Sequence, residues 1–102
     1  MYGTIPSQLG NLSQLNKLEL QNNQLSGQIP KSVNNWNALE ELNLSNNLLA
    51  GTIPVEIGEL ENLKLINLSF NYFKGEIPSV LLQNKKLTTL YLHVNTLDGI
   101  IS

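Results

Sequence analysis

Apolar residues recur along the chain with a fixed spacing of 24 residues. The tripeptides "LEL", "LNL", "INL" and "LYL" alternate apolar and polar positions, which predicts a short strand with one buried face. A constant period indicates a repeat architecture, in which stacked coils bury apolar side chains that no single coil could bury alone. The apolar columns of this repeat are Leu15, Leu39, Leu63 and Leu87; Leu18, Leu42, Ile66 and Leu90; Leu20, Leu44, Leu68 and Leu92; and Leu25, Leu49, Phe73 and Leu97.

Asparagine, glycine and proline follow the same period. Each strand segment is followed by an asparagine, whose amide donates and accepts hydrogen bonds and so satisfies backbone groups at a turn. A glycine then suits a conformation that a Cβ resists, and a proline suits a bend outside the ladder. Because glycine and proline interrupt every candidate helix, a helical array is disfavoured. The expected structural asparagine ladder consists of Asn23, Asn47, Asn71 and Asn95.

The repeat unit has the form L-x-x-L-x-L-x-x-N-x-L-x-G-x-I-P, and it resembles the plant-type leucine-rich repeat. The segments "LSGQIP" at 25–30 and "LAGTIPVEIGEL" at 49–60 carry this resemblance. It implies an α/β solenoid, a right-handed superhelix with a parallel β-sheet on the concave face and irregular or 3₁₀ returns on the convex face. The expected units are a partial coil at 1–14, full repeats at 15–38, 39–62 and 63–86, and a partial repeat at 87–102.

The last four of these units are called coils one to four below. Cysteine-bearing caps are usual in the family, whereas this chain contains no cysteine and starts and stops in mid-coil. We therefore expect a fragment of a longer array, with flanking repeats or caps. The alternative is a self-standing short protein that dimerises or contacts a partner through its ends.

Repeats of this type are typical of the ectodomains of plant receptor-like kinases and receptor-like proteins, and of polygalacturonase inhibitors. The resemblance implies an extracellular or cell-surface scaffold that binds a protein or peptide ligand, with a co-receptor as a further partner, on its concave face. A secreted inhibitor or defence protein is the alternative, and ice binding is a minor one. Ice binding favours a regular Thr or Ser array, whereas the column after each glycine is irregular: Thr4, Gln28, Thr52, Glu76 and Ile100.

Residues between the inward-facing leucines are expected on the concave face. Coils one and two place charged and amide side chains there, whereas coils three and four place apolar and aromatic ones, which is typical of a binding patch. The alternative is that these side chains pack on one another or on a following coil. One full column is Gln21, Ser45, Ser69 and His93. The predicted contact surface is Phe70, Tyr72, Tyr91 and His93, with Leu65, Val94, Lys17, Glu19 and Glu41 as further concave-face candidates.

Composition mainly excludes other functions. The 102 residues carry a net charge of -2, with six lysines and no arginine, which argues against a nucleic-acid surface. No apolar run approaches the roughly 18 residues that a membrane span needs. His93 is the one histidine and there is no cysteine, so we expect no metal site, no cofactor and no enzymatic activity within this chain.

Three N-x-Ser sequons begin at Asn11, Asn43 and Asn67 and are candidate glycosylation sites if the chain is secreted. Asn43 and Asn67 occupy one column on adjacent coils. Glycans on both would crowd the concave face and leave a flank or the C-terminal coils for a partner. Trp36 lies in a return segment, in an otherwise mainly leucine column, and is expected in the core.

Overall fold

A computed structural model of the protein describes residues 2–6, 9 and 13–98. Within these residues the strands alternate between two parallel sheets. The first sheet contains, in order, β2 (Lys17–Glu19), β4 (Glu41–Asn43), β6 (Leu65–Asn67) and β8 (Thr89–Tyr91). The second sheet contains β1 (Tyr2–Thr4), β3 (Gln24–Gly27), β5 (Leu48–Thr52), β7 (Tyr72–Glu76) and β9 (Thr96–Asp98).

The first sheet is the predicted concave sheet of the solenoid. Each strand pairs with the equivalent strand of the next coil, so that Leu42 lies opposite Leu18 on one side and Ile66 on the other. The central residue of β4 and of β6 is buried, while the residues on either side of it are partly exposed. The observed register therefore confirms the parallel ladder that the alternating pattern and the 24-residue period predict.

The second sheet is not predicted by the sequence pattern, because glycine and proline in these segments indicate turns rather than strands. Gly27, Gly51 and Gly75 lie within its strands with φ angles of 79°, 80° and 80°, in the left-handed region. A Cβ on Gly51 would also lie 2.8 Å from Cγ of Gln28 in the preceding coil. Glycine is required there both for the backbone conformation and for the close approach of adjacent coils.

The return segments are short helical turns that begin after a proline. The first two are 3₁₀ turns at Lys31–Asn35 and Val55–Glu59, and the third is a short α-helix, α1, at Ser79–Leu82. A Cβ on Gly58 would lie 2.5 Å from Cγ1 of Val80 and 2.9 Å from the amide nitrogen of Leu81. The absence of a side chain at Gly58 therefore allows α1 to pack directly on the preceding return.

The core is the stack of inward-facing apolar columns. Trp36 is fully buried there, and its indole N–H donates a hydrogen bond of 2.6 Å to the carbonyl oxygen of Leu9. Asn84, the polar member of the same column, donates from Nδ2 to the carbonyl oxygen of Leu60 at 3.0 Å, so its amide is not left unpaired. None of the helices in the described part of the chain has the length and apolarity to cross a membrane. The largest fully buried side chains are Trp36, Phe73, Leu25, Leu39, Leu42, Leu44, Leu49, Ile57, Leu60, Leu63, Ile66 and Leu68.

Candidate recognition surface

The asparagine ladder ties each coil to the one before it. Asn71 is buried, and its Nδ2 donates to the carbonyl oxygen of Leu44 in the preceding coil at 2.9 Å. Its Oδ1 accepts a bond of 3.0 Å from the backbone N–H of Leu49, also in that coil. Equivalent bonds form around Asn47 and Asn95. The ladder thus supplies partners for buried backbone groups at the end of each concave strand.

The residue before each ladder asparagine has a left-handed backbone. The φ angles are 60° at Asn22, 58° at Asn46, 59° at Phe70 and 58° at Val94. Asparagine tolerates this region, whereas bulky and β-branched residues rarely adopt it. In coils one and two the amides of this column also pair, since Nδ2 of Asn46 donates to Oδ1 of Asn22 at 2.7 Å.

In coils three and four the same strained position holds exposed apolar side chains. Phe70 is 49 % exposed and Val94 is 60 % exposed. A strained backbone of this kind costs on the order of 1–3 kcal/mol per residue and is found preferentially at functional sites. The conformation of Phe70 and Val94 therefore singles out this edge of the concave sheet as a candidate functional surface.

Phe70, Tyr72, Tyr91, His93 and Val94 form what we call the aromatic patch, and they are all exposed. The ring of His93 lies 5.1 Å from that of Phe70 and 6.3 Å from that of Tyr91, both at near-perpendicular angles. Edge-to-face contacts of this kind order the rings relative to one another. The rings of Phe70 and Tyr91 thus pack on the ring of His93, as the alternative interpretation expects, and yet all three remain accessible.

The remaining concave candidates lie on the polar side of the sheet. Lys17, Glu41 and Leu65 form one column across β2, β4 and β6. Nζ of Lys17 lies 3.7 Å from a carboxylate oxygen of Glu41, and Glu19 is exposed beside this pair. Leu65 is half-buried. The structure therefore joins Lys17 to Glu41, and neither takes part in the ring contacts of the aromatic patch.

Two of the sequon asparagines make local turns. Oδ1 of Asn67 accepts bonds from the backbone N–H of Ser69 at 3.1 Å and from its hydroxyl at 2.6 Å, and Asn43 bonds Ser45 in the same way. Ser69 is buried, and the expectation that its whole column faces the concave surface is wrong at this residue. Asn11 lies outside the described residues.

An open depression of about 500 Å³ lies beside the first sheet, and the sequence pattern did not predict it. It lies along the segments that precede β4, β6 and β8. Three pairs of its lining residues, 40 with 64, 62 with 86 and 64 with 88, are one period apart, but its three lysines occupy three different positions of the repeat, so no lysine column indicates it. We call it the lysine cavity, and its lining residues are Glu40, Asn62, Lys64, Lys85, Lys86 and Thr88.

Metal-binding chemistry finds no support in the described residues. Across the described residues, 2–6, 9 and 13–98, no group of three His, Cys, Asp or Glu side chains lies close enough together to hold a metal ion. His93 contacts two aromatic rings instead. The aromatic patch and the lysine cavity offer exposed apolar area, charge and hydrogen-bonding groups, which suit the non-covalent binding of a partner.

Solved structures with a similar fold include plant receptor ectodomains. The ectodomain of the membrane receptor kinase GASSHO1/SCHENGEN3 from Arabidopsis thaliana, in complex with CASPARIAN STRIP INTEGRITY FACTOR 2, is 42 % identical over 99 % of this chain, with a TM-score of 0.94. The Arabidopsis receptor kinase HAESA, in complex with the peptide hormone IDA and the co-receptor SERK1, is 40 % identical over 94 % of this chain, with a TM-score of 0.91. The chain spans only 12 % and 16 % of these two proteins.

A plant ice-binding protein has the same fold. It is 35 % identical over 94 % of this chain, which covers 31 % of that protein, with a TM-score of 0.90. A sequence comparison with curated proteins gave no significant match. The sequence model of the family described as "Leucine rich repeat" matches residues 13–73, which is more than half of the chain. Together with the two stacked parallel sheets, this match shows that the chain belongs to the leucine-rich repeat family, in its plant type.

Proposed function

We propose that the chain is a recognition segment of a plant receptor ectodomain and that it binds a peptide or protein ligand through the aromatic patch. The similarity to receptor ectodomains at 40–42 % identity supports this class of function. The HAESA structure includes a peptide hormone and a co-receptor, and we extend both kinds of partner to this chain. The proposal places the chain outside the cell and assigns it no reaction of its own.

The observation that carries the proposal is the strain beneath the aromatic patch. Coils one and two satisfy the left-handed position with asparagine, whereas coils three and four hold Phe70 and Val94 there, exposed. Exposed aromatic side chains that are already ordered lose little entropy when a partner covers them, and aromatic residues dominate binding energies at interfaces. A bound ligand that buries these side chains would offset the cost of holding them in place.

A display experiment with random short peptides, selected against the full chain, tests this proposal. The test variant is Phe70→Asn with Tyr91→Ser, and asparagine suits the left-handed backbone at this position. The matched control is Val55→Ser with Leu82→Ser, two residues of the return segments that are 55 % and 61 % exposed.

Selected peptides should bind the test variant at least about tenfold more weakly than the parent chain, and the control within about twofold. Selection of no peptide, or equal binding to parent and test variant, would overturn the proposal. The same patch would serve a secreted inhibitor or defence protein, so the full-length reading frame distinguishes that alternative by whether it encodes a membrane anchor.

Ice binding is the second candidate, because a plant ice-binding protein shares the fold. The exposed column on the second sheet consists of Thr4, Gln28, Thr52 and Glu76 among the described residues, so a charged or amide side chain follows each threonine. A flat, regular hydroxyl array is therefore not formed. We expect no thermal hysteresis from the purified chain, and its detection would favour ice binding over peptide recognition.

A further inference from the structure

Three of the six lysines of this acidic chain lie around the lysine cavity. Lys64, Lys85 and Lys86 face Glu40, the one carboxylate among the described lining residues, so the lining carries an excess of positive charge. The net charge of the whole chain is -2, so this positive region differs in sign from the molecule around it. Such a local excess attracts anionic groups and repels cationic ones.

Two of the ammonium groups have a polar partner. Nζ of Lys86 donates to Oδ1 of Asn62 at 3.0 Å, and Nζ of Lys64 lies 3.3 Å from a carboxylate oxygen of Glu40. Each ammonium has three donor hydrogens, so one such contact leaves donors for a further acceptor. Lys85 and the hydroxyl-bearing Thr88 are exposed on the same wall. The cavity thus presents three exposed ammonium groups, two of which keep donor hydrogens beyond their contact with a neighbouring side chain.

The lysine cavity and the aromatic patch lie at opposite ends of the same concave strands. Thr88 lines the cavity immediately before β8, while Tyr91 ends β8 and His93 follows it. An extended chain rises about 3.3 Å per residue, so the cavity wall and the patch are separated by roughly 10 to 17 Å. A short extended peptide crossing the sheet edge would reach both.

We propose that the lysine cavity is an anion subsite that receives acidic side chains, Asp or Glu, of the same peptide ligand. The identification of the ligand as a peptide rests on the proposed function above. The cavity adds the chemistry of that ligand: carboxylates about three to five residues away from the apolar residue that covers the aromatic patch. The lysines act as point charges. The Nδ2 of Asn62 donates one hydrogen to the carbonyl oxygen of Asn37 and keeps a second for a ligand, whereas the Thr88 hydroxyl already donates to the carbonyl oxygen of Lys64 at 3.3 Å.

The test is an amide ¹H–¹⁵N chemical-shift titration of the full chain at low ionic strength. The probe is a blocked tetrapeptide of glutamates, and its counterpart of glutamines is the neutral control. We expect the acidic probe to shift the amides of Asn62, Lys86 and Thr88, with a dissociation constant on the order of a millimolar. The neutral peptide should leave them unchanged.

Two double variants with the same net charge separate the cavity from general electrostatics. Lys85→Gln with Lys86→Gln removes two cavity lysines, and Lys31→Gln with Lys74→Gln removes two lysines elsewhere. The cavity variant should weaken binding of the acidic probe at least about fivefold, and the control less than about twofold. The spectrum of each variant reports directly whether it is folded.

Equal weakening by both double variants would overturn the subsite, as would shifts that map away from the cavity. An equal response to inorganic phosphate at matched ionic strength would overturn the assignment to acidic peptides. The glutamate tetrapeptide contains no side chain for the aromatic patch. A failure of this titration therefore leaves the peptide-display result standing, and a failure of the display experiment leaves the anion chemistry standing.

Discussion

Coils one and two follow the same backbone path as coils three and four but place different chemistry on it. At the left-handed position, Asn22 and Asn46 join their amides in a hydrogen bond, whereas Phe70 and Val94 hold exposed apolar side chains at nearly the same φ. The backbone conformation is thus set by the stack, and it does not depend on a residue that favours it. The repeat thus fixes the backbone geometry, while its outward positions remain free to carry function.

The largest expected effect is at Asn71, the ladder asparagine that joins coil three to coil two. Asn71→Ala removes four contacts with backbone groups. Nδ2 of Asn71 donates to the carbonyl oxygens of Leu44, Leu68 and Ser69, and its Oδ1 accepts from the N–H of Leu49. Leaving such buried groups unpaired should lower the free energy of unfolding by about 3 kcal/mol. The shift of the urea midpoint measures this loss.

Asn16→Ala is the control for this change, because Asn16 is exposed and its carbonyl, which accepts from Glu40 and Glu41, is kept. Its effect should stay within about 0.5 kcal/mol. If Asn71→Ala produced two separate unfolding transitions, the halves would be independent folding units and not one stack. A single transition at a lower midpoint is the expected result.

Gly58→Ala disturbs the contact between the return segments of coils two and three. The backbone at Gly58 is not left-handed, so the expected loss arises from the contact of the new methyl group with Val80 and the Leu81 amide. Forcing a methyl group into such a contact should lower the free energy of unfolding by about 1–3 kcal/mol. Calorimetry of the variant measures this loss.

Val80→Ala in the same background is the matched test of that cause. The nearest atom to the added methyl group is Cγ1 of Val80, at 2.5 Å, and truncating Val80 removes it. The double variant should recover part of the loss, because the contact with the Leu81 nitrogen at 2.9 Å remains. Strictly additive effects would contradict the proposed contact.

Exchanging the residue types of Phe70 and Asn46 tests how much strain the left-handed position holds. Phe70→Asn relieves backbone strain but loses the edge-to-face contact with His93, so we expect a net gain of about 1 kcal/mol in unfolding free energy. Asn46→Phe should lose at least as much, because it adds strain and breaks the bond to Asn22. Thermal denaturation of the two variants measures both changes. Destabilisation by Phe70→Asn would show that ring packing outweighs strain, and would remove the main support for the aromatic patch as a binding site.

The sequence carries most of the fold, and the reason is the period. Leu42 and Ile66 could be placed opposite each other because a fixed repeat makes sequence register equal to spatial register. The second sheet could not be predicted, although it also pairs equivalent segments of neighbouring coils. Its segments contain a glycine such as Gly51, which taken by itself indicates a turn rather than a strand.

The candidate surface was only partly predictable, because the repeat places residues in columns but does not show their side-chain contacts or backbone angles. Column alignment brings Phe70 and His93 to neighbouring coils, and the structure supplies their ring contact. The left-handed backbone at Phe70 and Val94 has no signal in either residue, although the asparagines of coils one and two point to it. The prediction that Ser69 is exposed is wrong, and its bond to Asn67 does not explain this, because Ser45 makes the same bond to Asn43 and is only partly buried. Whether the aromatic patch binds a ligand stays a prediction.

The smallest expected effect concerns the exposed ion pair on the concave face of coils one and two. The ion pair of Lys17 and Glu41 spans 3.7 Å between side chains that are 60 % and 40 % exposed. A double-mutant cycle with Lys17→Gln and Glu41→Gln should give a coupling of no more than about 0.5 kcal/mol, because solvent and salt screen such pairs. Coupling measured in urea unfolding should vanish at high salt. A larger, salt-resistant coupling would mean that this surface ion pair stabilises coils one and two. A negligible coupling means that these concave positions of coils one and two, unlike the strained position of coils three and four, can vary without consequence for the fold.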